Sequence, residues 1–355
     1  RILEVVHGGN YILGPECKAF EKELAAYFGV KHVVLSASWT AAVHLLHLAQ
    51  TMTGKLKAGD EILVPSLTAF PSIEPMIHVG AVPVFCDIDD TYTIDPEDAK
   101  RKITKRTVGI LPVHLYGRPV NLDAIMQLAK DNGLWVIEDC AQSHGAKWKG
   151  KRAGSYAEHA AFSFYPSKNL TVYGDGGAIA TADDEIARLV TMLRNHGRKD
   201  KYLHEKVGYN LRFNEIQAAV GREQLKVLDD LNAGRRRAAE WYRRELAGVK
   251  GLVLPPDDKA GQTESVYHMF VIRLDSNEIR EGLGKALKEQ GIESGVHYPV
   301  PNHLQPAISE IYGKLPTLPK TEDYTQRILS LPMFPSLTED EVKTVATAVK
   351  AYLKK

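Results

Sequence analysis

A single lysine, Lys168, lies between an aromatic stretch with the pattern of a strand and a glycine-rich segment. The surrounding sequence, residues 162–181, is FSFYPSKNLTVYGDGGAIAT, in which two phenylalanines alternate with Ser163 as in a half-buried strand. The glycines of GDGG at 174–177 are typical of a tight turn that uses positive φ. A lysine in this frame is placed for covalent chemistry, because a desolvated amine can attack a carbonyl carbon.

Other polar groups follow neighbouring predicted strands. The strand LWVIED ends in Asp139, and small and hydroxyl residues at 38–41 open a helix after the strand HVVLS. Pyridoxal phosphate requires such a set: an amine for its aldehyde, a carboxylate for its pyridine nitrogen, and hydroxyls with helix amides for its phosphate. Each residue alone also fits a surface lysine, a helix cap or a turn. Their order along the chain predicts one pyridoxal phosphate site built from Lys168, Asp139, Ser163 and the start of that helix.

These residues need a sheet that brings them to one edge. In the first two thirds of the chain, short apolar runs alternate with amphipathic segments, which indicates a largely parallel sheet covered on both faces by helices. Such sheets bind ligands beyond the carboxyl ends of their strands. The candidate strands are residues 32–36, 61–65, 82–87, 108–114, 134–139, 160–164 and 178–181.

A long helical pattern over 214–247 follows, and fewer strands come after it. The last helix is expected to begin at a capping box formed by Thr338 and Glu341. We predict a large cofactor-binding domain over 1–240 and a smaller C-terminal α/β domain over 241–355.

The composition excludes several classes of protein. The 355 residues carry 45 basic and 44 acidic side chains, so no basic excess indicates nucleic acid, and no apolar run is long enough to predict a membrane span. Cys17, Cys86 and Cys140 form no disulfide framework and favour a reducing cytoplasm. His44 and His47 share a helix face, but no third ligand is evident, so no metal site is predicted.

Five stretches resemble the DegT/StrS family of nucleotide-sugar aminotransferases. They occur in the family's order, they span almost the entire chain, and they are PVHLYGRP (112–119), EDCAQSHGA (138–146), FSFYPSKNLTVYGDGGAIAT (162–181), GYNLRFNEIQAAVG (208–221) and HYPVPNHLQP (297–306). The resemblance implies the type I pyridoxal-phosphate-dependent aminotransferase fold, with a mostly parallel seven-stranded sheet in the large domain. It also implies a homodimer whose active site is shared between the subunits.

The resemblance further implies roles for single residues. Lys168 would form the Schiff base with the cofactor and then carry the proton, while Asp139 would pair with the pyridine nitrogen. Gln142 would contact the phenolic oxygen of the cofactor, and Ser163 would bind the phosphate. Asn210 is expected to reach the phosphate from the partner subunit.

Two positions depart from the family's pattern. Trp39 stands where the family usually has glycine, and the amides of Trp39 and Thr40 are still expected at the phosphate. Ala69 stands where the family tends to place an aromatic residue that stacks on the cofactor ring. Either Phe70 or Trp39 is therefore expected to supply that ring.

The expected reaction is a ping-pong transamination in which L-glutamate gives its amino group to the cofactor and a nucleotide-linked keto sugar then receives it. Three residues are implied to lie near the nucleotide sugar: Arg212, His297 and Tyr298. The motif around Lys168 resembles members that aminate carbon 3, since members that act on 4-keto sugars more often have a glycine-glutamate-glycine turn after the lysine.

Several alternatives stay open at this point. A 4-keto-sugar aminotransferase and an enzyme like the aminohydroxybenzoate synthases would use the same cofactor, and a sensor could keep the fold without catalysis. A sugar dehydratase of the same family would carry histidine in place of Lys168. A nicotinamide-dependent dehydrogenase could also be built on a parallel sheet, but no GxGxxG motif follows the first strand.

Overall fold

The computed structural model describes residues 1–354, and its largest element is a seven-stranded sheet. The strands, numbered along the chain, are β1 His32–Ser36, β2 Glu61–Pro65, β3 Val82–Cys86, β4 Thr107–Ile110, β5 Trp135–Asp139, β6 Lys147–Trp148, β7 Lys151–Arg152, β8 His159–Ser163, β9 Gly177–Thr181, β10 Leu252–Val253, β11 Thr263–Glu264, β12 Phe270–Leu274 and β13 Ile328–Leu331.

Helices alternate with the strands of the first half and dominate the end of the chain. They are α1 Ile2–Gly8, α2 Pro15–Phe28, α3 Trp39–Met52, α4 Glu74–His78, α5 Pro96–Arg101, α6 Leu122–Asn132, α7 Asp184–Leu193, α8 Glu215–Leu246, α9 Asn277–Glu289, α10 Pro306–Tyr312, α11 Pro319–Arg327 and α12 Glu339–Leu353. Within residues 1–354, no helix combines the length and the apolar composition that crossing a membrane requires.

The large sheet has the strand order β1-β9-β8-β5-β4-β2-β3. Strand β9 is antiparallel to both of its neighbours, and the remaining adjacent pairs are parallel. The prediction of a mostly parallel seven-stranded sheet is confirmed, although β4 ends at Ile110 and not at 114, since Pro112 has no N–H for a ladder. Because six strands run in the same direction, their carboxyl ends lie along one edge.

Both faces of the sheet are buried, and because successive side chains of a strand point to opposite faces, they pack into different cores. In β1, Val34 packs into a core formed with α3 and α7, whereas Val33 and Leu35 pack into a core formed with α2 and α8. A further cluster under α6 covers the strands β2, β4 and β5 on one side. The sheet is therefore held rigidly between layers of helices, and its loops can be positioned accurately.

Helix α8 is 32 residues long and begins one residue after Asn214, whose side chain accepts the Gln217 N–H as an N-cap. Its first part packs beside α2, and its last part packs into a C-terminal core with α12 and the strands β12 and β13. The boundary predicted at 240/241 falls inside this helix, so the division into domains stays a prediction.

The C-terminal region contains a three-stranded antiparallel sheet in the order β10-β12-β13. The capping box predicted at Thr338 and Glu341 is present at the start of α12. Other residues of this region, including Ile308 and Tyr324, pack into the core of the large sheet. The C-terminal region thus contacts the large sheet near the loops that follow its strands.

Candidate active site

A cavity of about 270 Å³ lies at the edge where the parallel strands end. Strands β5 and β8 deliver Asp139 and Ser163 to this edge, and α3 begins beside them. Six of the residues predicted to bind the cofactor line the cavity: Trp39, Thr40, Asp139, Gln142, Ser163 and Lys168. The sequence pattern therefore located residues that the fold brings together from three separate segments.

Lys168 is half-buried and follows β8 through a turn in which its N–H donates to the Tyr165 carbonyl oxygen at 2.8 Å. Burial lowers the pKa of the Lys168 amine below its ordinary value, and the negative charge of Asp139 opposes this shift in part. A lowered pKa increases the neutral fraction of the amine, which is the form that attacks a carbonyl carbon.

Asp139 is almost fully buried, and each oxygen of its carboxylate accepts one hydrogen bond. Oδ1 accepts the Ala141 N–H at 3.0 Å, and Oδ2 accepts the Ser72 hydroxyl at 2.9 Å. Burial raises the pKa of the Asp139 carboxyl above its ordinary value, and these two donors with the charge of Lys168 offset only part of that shift. A cation placed in the cavity would stabilise the ionised carboxylate further.

The start of α3 presents free amides to the cavity. Ser38 is the N-cap: its Oγ accepts the Ala41 N–H at 3.1 Å, and its carbonyl oxygen accepts the Ala42 N–H. The N–H groups of Trp39 and Thr40 precede the first intrahelical bond and have no partner within the helix. Together with the helix dipole, they form a site that suits a phosphate.

The GDGG segment supports this helix start in a way that the sequence did not indicate. The expectation of positive φ was wrong, since Gly174, Gly176 and Gly177 all lie outside that region. A Cβ on Gly177 would instead lie 2.4 Å from the carbonyl carbon of Ser38 and 2.6 Å from the nitrogen of Trp39. The glycine is required because the backbone of α3 packs directly on β9.

Gln142 connects the cavity to two tyrosines. Its Oε1 accepts the Tyr116 N–H at 2.6 Å, and its Nε2 donates to the Tyr298 hydroxyl oxygen at 3.2 Å. The Tyr116 hydroxyl in turn donates to the carbonyl oxygen of His297, whose ring nitrogen Nδ1 lies 2.9 Å from the Ser330 Oγ. His297 and Tyr298, predicted near the sugar, therefore lie beside the cofactor cavity.

A buried pair lies beside Asp139: Glu138, its neighbour on β5, contacts His114 on the segment that follows β4. His114 accepts the Val120 N–H at Nδ1, so its Nε2 carries the hydrogen and donates to Glu138 at 3.0 Å. Glu138 also accepts the N–H groups of Gly154, Tyr156 and Ala157 at 2.8 Å each. Although Cys140 lies close enough to complete a metal-like cluster, these hydrogen bonds explain the arrangement without an ion.

Five of the predicted site residues are not among those that line the cavity: Phe70, Asn210, Arg212, His297 and Tyr298. Phe70 is partly buried against the core of the sheet, whereas Trp39 does line the cavity, with its indole N–H held by the Ala161 carbonyl oxygen at 3.2 Å. Which of the two supplies the stacking ring stays a prediction. Asn210 is exposed, and Arg212 donates to the Asn195 Oδ1 at 3.3 Å. The roles predicted for Asn210 and Arg212 stay predictions.

Several cavity residues were absent from the sequence-based prediction. Ser72 contacts Asp139 directly, and Tyr165 and Asp175 also line the cavity. The cluster of hydroxyl residues after the strand EILVP was a signal for Ser72, although only Ser66 and Thr68 are next to the strand end. Nothing in the local sequence distinguishes Tyr165 or Asp175 from ordinary turn residues.

The cavity therefore joins three chemical functions: a half-buried amine, a buried carboxylate and a set of helix amides beside a serine. This donor set fits the aldehyde, ring nitrogen and phosphate of pyridoxal phosphate. Small residues also line the space between these groups, with glycine at 176 and alanine at 69 and 141.

Comparison with known proteins agrees with this chemistry. The sequence model of the DegT/DnrJ/EryC1/StrS aminotransferase family matches residues 1–350. A dTDP-3-amino-3,4,6-trideoxy-alpha-D-glucose transaminase of Streptomyces venezuelae is 42% identical over 99% of this chain and 90% of its own length. A UDP-N-acetyl-3-dehydro-alpha-D-glucosamine 3-aminotransferase of Acidithiobacillus ferrooxidans is 40% identical over 99% of this chain and 92% of its own length.

Solved structures show the same fold. The S. venezuelae DesV protein in complex with a ketimine intermediate superposes with a TM-score of 0.94 at 41% identity, over 100% of this chain and 93% of that one. A Bacillus subtilis protein, ntda, with bound cofactor PMP superposes with a TM-score of 0.90 at 32% identity, over 100% of this chain and 80% of that one.

Proposed function

Because the chain belongs to the DegT/DnrJ/EryC1/StrS aminotransferase family, we propose that it uses pyridoxal phosphate to aminate carbon 3 of a keto sugar carried on a nucleotide. The observation that carries this proposal is the single cavity in which Lys168, Asp139 and the start of α3 meet. Such an enzyme would serve amino-sugar biosynthesis for a polysaccharide or an antibiotic.

Two residues of the cavity carry the chemistry. When bound, pyridoxal phosphate supplies an aldehyde that takes up amines and a ring that accepts electrons. The amine of Lys168 would hold the aldehyde and, once released, would move a proton at the carbon atom that carries the transferred nitrogen. The lowered pKa of Lys168 suits this role, because a general base works best with a pKa near the operating pH. Asp139 would hold the proton of the ring nitrogen, and that cation would keep the carboxylate ionised.

Other residues would position the cofactor. The N–H groups of Trp39 and Thr40 with the Ser163 hydroxyl would bind the phosphate, since free amides at a helix start favour anions. The Nε2 of Gln142 would contact the phenolic oxygen, a role that its orientation between Tyr116 and Tyr298 supports.

The substrate side of the site rests on the residues that surround this cavity. His297 and Tyr298 would contact the nucleotide sugar, and Arg212 would contribute a positive charge to it. We propose L-glutamate as the amino donor and a homodimer in which Asn210 reaches the phosphate of the partner subunit. The exposure of Asn210 on the loop before α8 supports that arrangement.

The three cysteines are free and buried, which supports action in the reducing cytoplasm. The competing readings have weaker support. A sensor would have no need for a cavity in which the amine, the carboxylate and the amides are all complete, and a dehydratase of the family would lack Lys168. A carbon 4 aminotransferase would use the same cavity, so only the product distinguishes it.

The test begins with the colour of the purified protein after incubation with pyridoxal phosphate. We expect a visible absorption band that L-glutamate bleaches and that a dTDP- or UDP-linked 3-keto sugar restores, with nitrogen on carbon 3 of the product by NMR. Lys168→Ala should abolish the band and the turnover, whereas Lys285→Ala, which removes an exposed lysine of α9, should change neither. Nitrogen on carbon 4, or turnover by Lys168→Ala at the native rate, would contradict the proposal.

A further inference from the structure

A short chain of hydrogen bonds supports the Asp139 carboxylate. The Ser72 hydroxyl lies 2.9 Å from Asp139 Oδ2, and the Ser72 Oγ also lies 2.9 Å from the Thr68 Oγ1. An ionised carboxylate only accepts hydrogen bonds, so the single hydroxyl hydrogen of Ser72 is used on Asp139. Thr68 must therefore donate its own hydrogen to Ser72, and the direction of both bonds is fixed.

These groups are shielded from water. The exposed fractions are 3% for Thr68, 2% for Ser72 and 2% for Asp139. Because the three side chains line the cavity, a bound cofactor would cover them and keep water from replacing a lost donor, and donors in series polarise one another. The two hydroxyls therefore act on the same carboxylate oxygen and favour its ionised form.

The loop that carries the hydroxyls is fastened to a distant part of the chain. The Asn302 Nδ2 donates to the carbonyl oxygen of Thr68 at 3.0 Å, and the Asn302 N–H donates to the carbonyl oxygen of Ser66 at 3.0 Å. Asn302 is 1% exposed and follows Tyr298 by four residues. The segment that contacts Gln142 through Tyr298 thus also holds the loop behind Asp139.

We propose that Ser72 is a positioning residue which, with Thr68 behind it, keeps the Asp139 carboxylate ionised and aimed at the ring nitrogen of the cofactor. This inference rests on the proposed function, which gives the carboxylate its cationic partner. Without the Ser72 hydroxyl, the Ala141 N–H is the remaining donor to Asp139. The ring nitrogen would then hold its proton less firmly, and less positive charge would face the nitrogen of Lys168.

The test follows the visible absorption of the holoenzyme as a function of pH, without any sugar. With less positive charge nearby, the Lys168–cofactor linkage protonates more easily, so Ser72→Ala should raise the apparent pKa of the band by about one unit, a tenfold change. Ser72→Cys keeps the shape but has a weak donor, and should shift the band nearly as far. Thr68→Val, which removes the second hydroxyl, should give a smaller shift in the same direction. Thr325→Val removes an equally buried hydroxyl from α11 and should leave the titration unchanged.

The kinetic readout separates positioning from substrate binding. We expect Ser72→Ala to lower kcat about tenfold with an unchanged KM for the nucleotide sugar. A native titration for Ser72→Cys and Thr68→Val, even if Ser72→Ala fails to fold, would show that the hydroxyl only fills space and would overturn the inference. A rise in KM alone would also overturn it. A native protein that never binds pyridoxal phosphate would instead refute the proposed function, so the two failures are distinguishable.

Discussion

Gly177→Ala tests how closely the start of α3 approaches the sheet. The added Cβ would lie 2.4 Å from the carbonyl carbon and oxygen of Ser38 and 2.6 Å from the nitrogen of Trp39. Carbon atoms normally approach to about 3.5 Å, so the helix start must move by about 1 Å. The obstructing atoms are backbone atoms, which no side-chain rotation can relieve. Since overpacking typically costs about 1–3 kcal/mol, we expect the free energy of unfolding to fall by about 3 kcal/mol.

Urea unfolding of the apoprotein measures this loss, and titration with pyridoxal phosphate measures its effect on the site. Displaced amides at Trp39 and Thr40 should weaken cofactor binding at least about tenfold, or about 1.4 kcal/mol. Gly284→Ala is the matched control, because its Cβ would meet nothing closer than 3.9 Å inside α9. That change should stabilise the protein by about 0.5–1 kcal/mol. If Gly177→Ala unfolds and binds cofactor like the native protein, then close backbone approach does not explain the glycine.

Three further predictions concern buried titratable groups. Lys168→Met should abolish activity yet raise the urea midpoint of the apoprotein at neutral pH. Because burial lowers the pKa of the Lys168 amine, its charge destabilises the folded protein, and this cost disappears only when the pH exceeds the ordinary pKa of 10.5. Burial opposes ionisation of Glu138, but His114 and backbone N–H groups hold its pKa below 4.5. Glu138→Gln should therefore lower the free energy of unfolding by about 3 kcal/mol at pH 7. Urea midpoints should show that this difference shrinks as the pH falls below 4.5. The thiols should resist a thiol reagent at pH 8 until urea unfolds the chain, since burial raises the pKa of all three and that of Cys86 to about 12; the residues are Cys17, Cys86 and Cys140. Rapid labelling of the native protein would contradict the burial of these cysteines.

The sheet could be predicted because its signals are local. Each strand is a short apolar run bounded by polar or turn residues, and the parallel arrangement follows from the helices between the runs. Lys168 and Asp139 could be predicted for a similar reason, since each lies at or just after a strand end. Because parallel strands end at the same edge of the sheet, the two residues are expected to meet there, and this prediction needs no knowledge of side-chain packing.

The support behind these residues could not be predicted in the same way. Asn302 contacts Thr68 across 234 positions of sequence, and neither residue lies in a pattern that pairs it with the other. Gly177 was misinterpreted as a turn former. Glycine is required both where two backbones pack closely and where φ is positive, and the sequence does not distinguish the two cases. The exclusion of Phe70 from the cavity likewise depends on how the turn after β2 packs, which composition does not record.

Helix α8 has a mechanical consequence for the whole chain. One continuous rod of 32 residues contributes Ala218 and Leu228 to a core beneath the large sheet and Tyr242 and Leu246 to the C-terminal core. Cutting the polypeptide at position 240 would leave the downstream fragment without the buried alanines at 238 and 239, and the upstream fragment with a bare apolar tail. We therefore expect the two halves to melt in one transition, and neither to survive as a stable fragment after a protease nicks the middle of the rod.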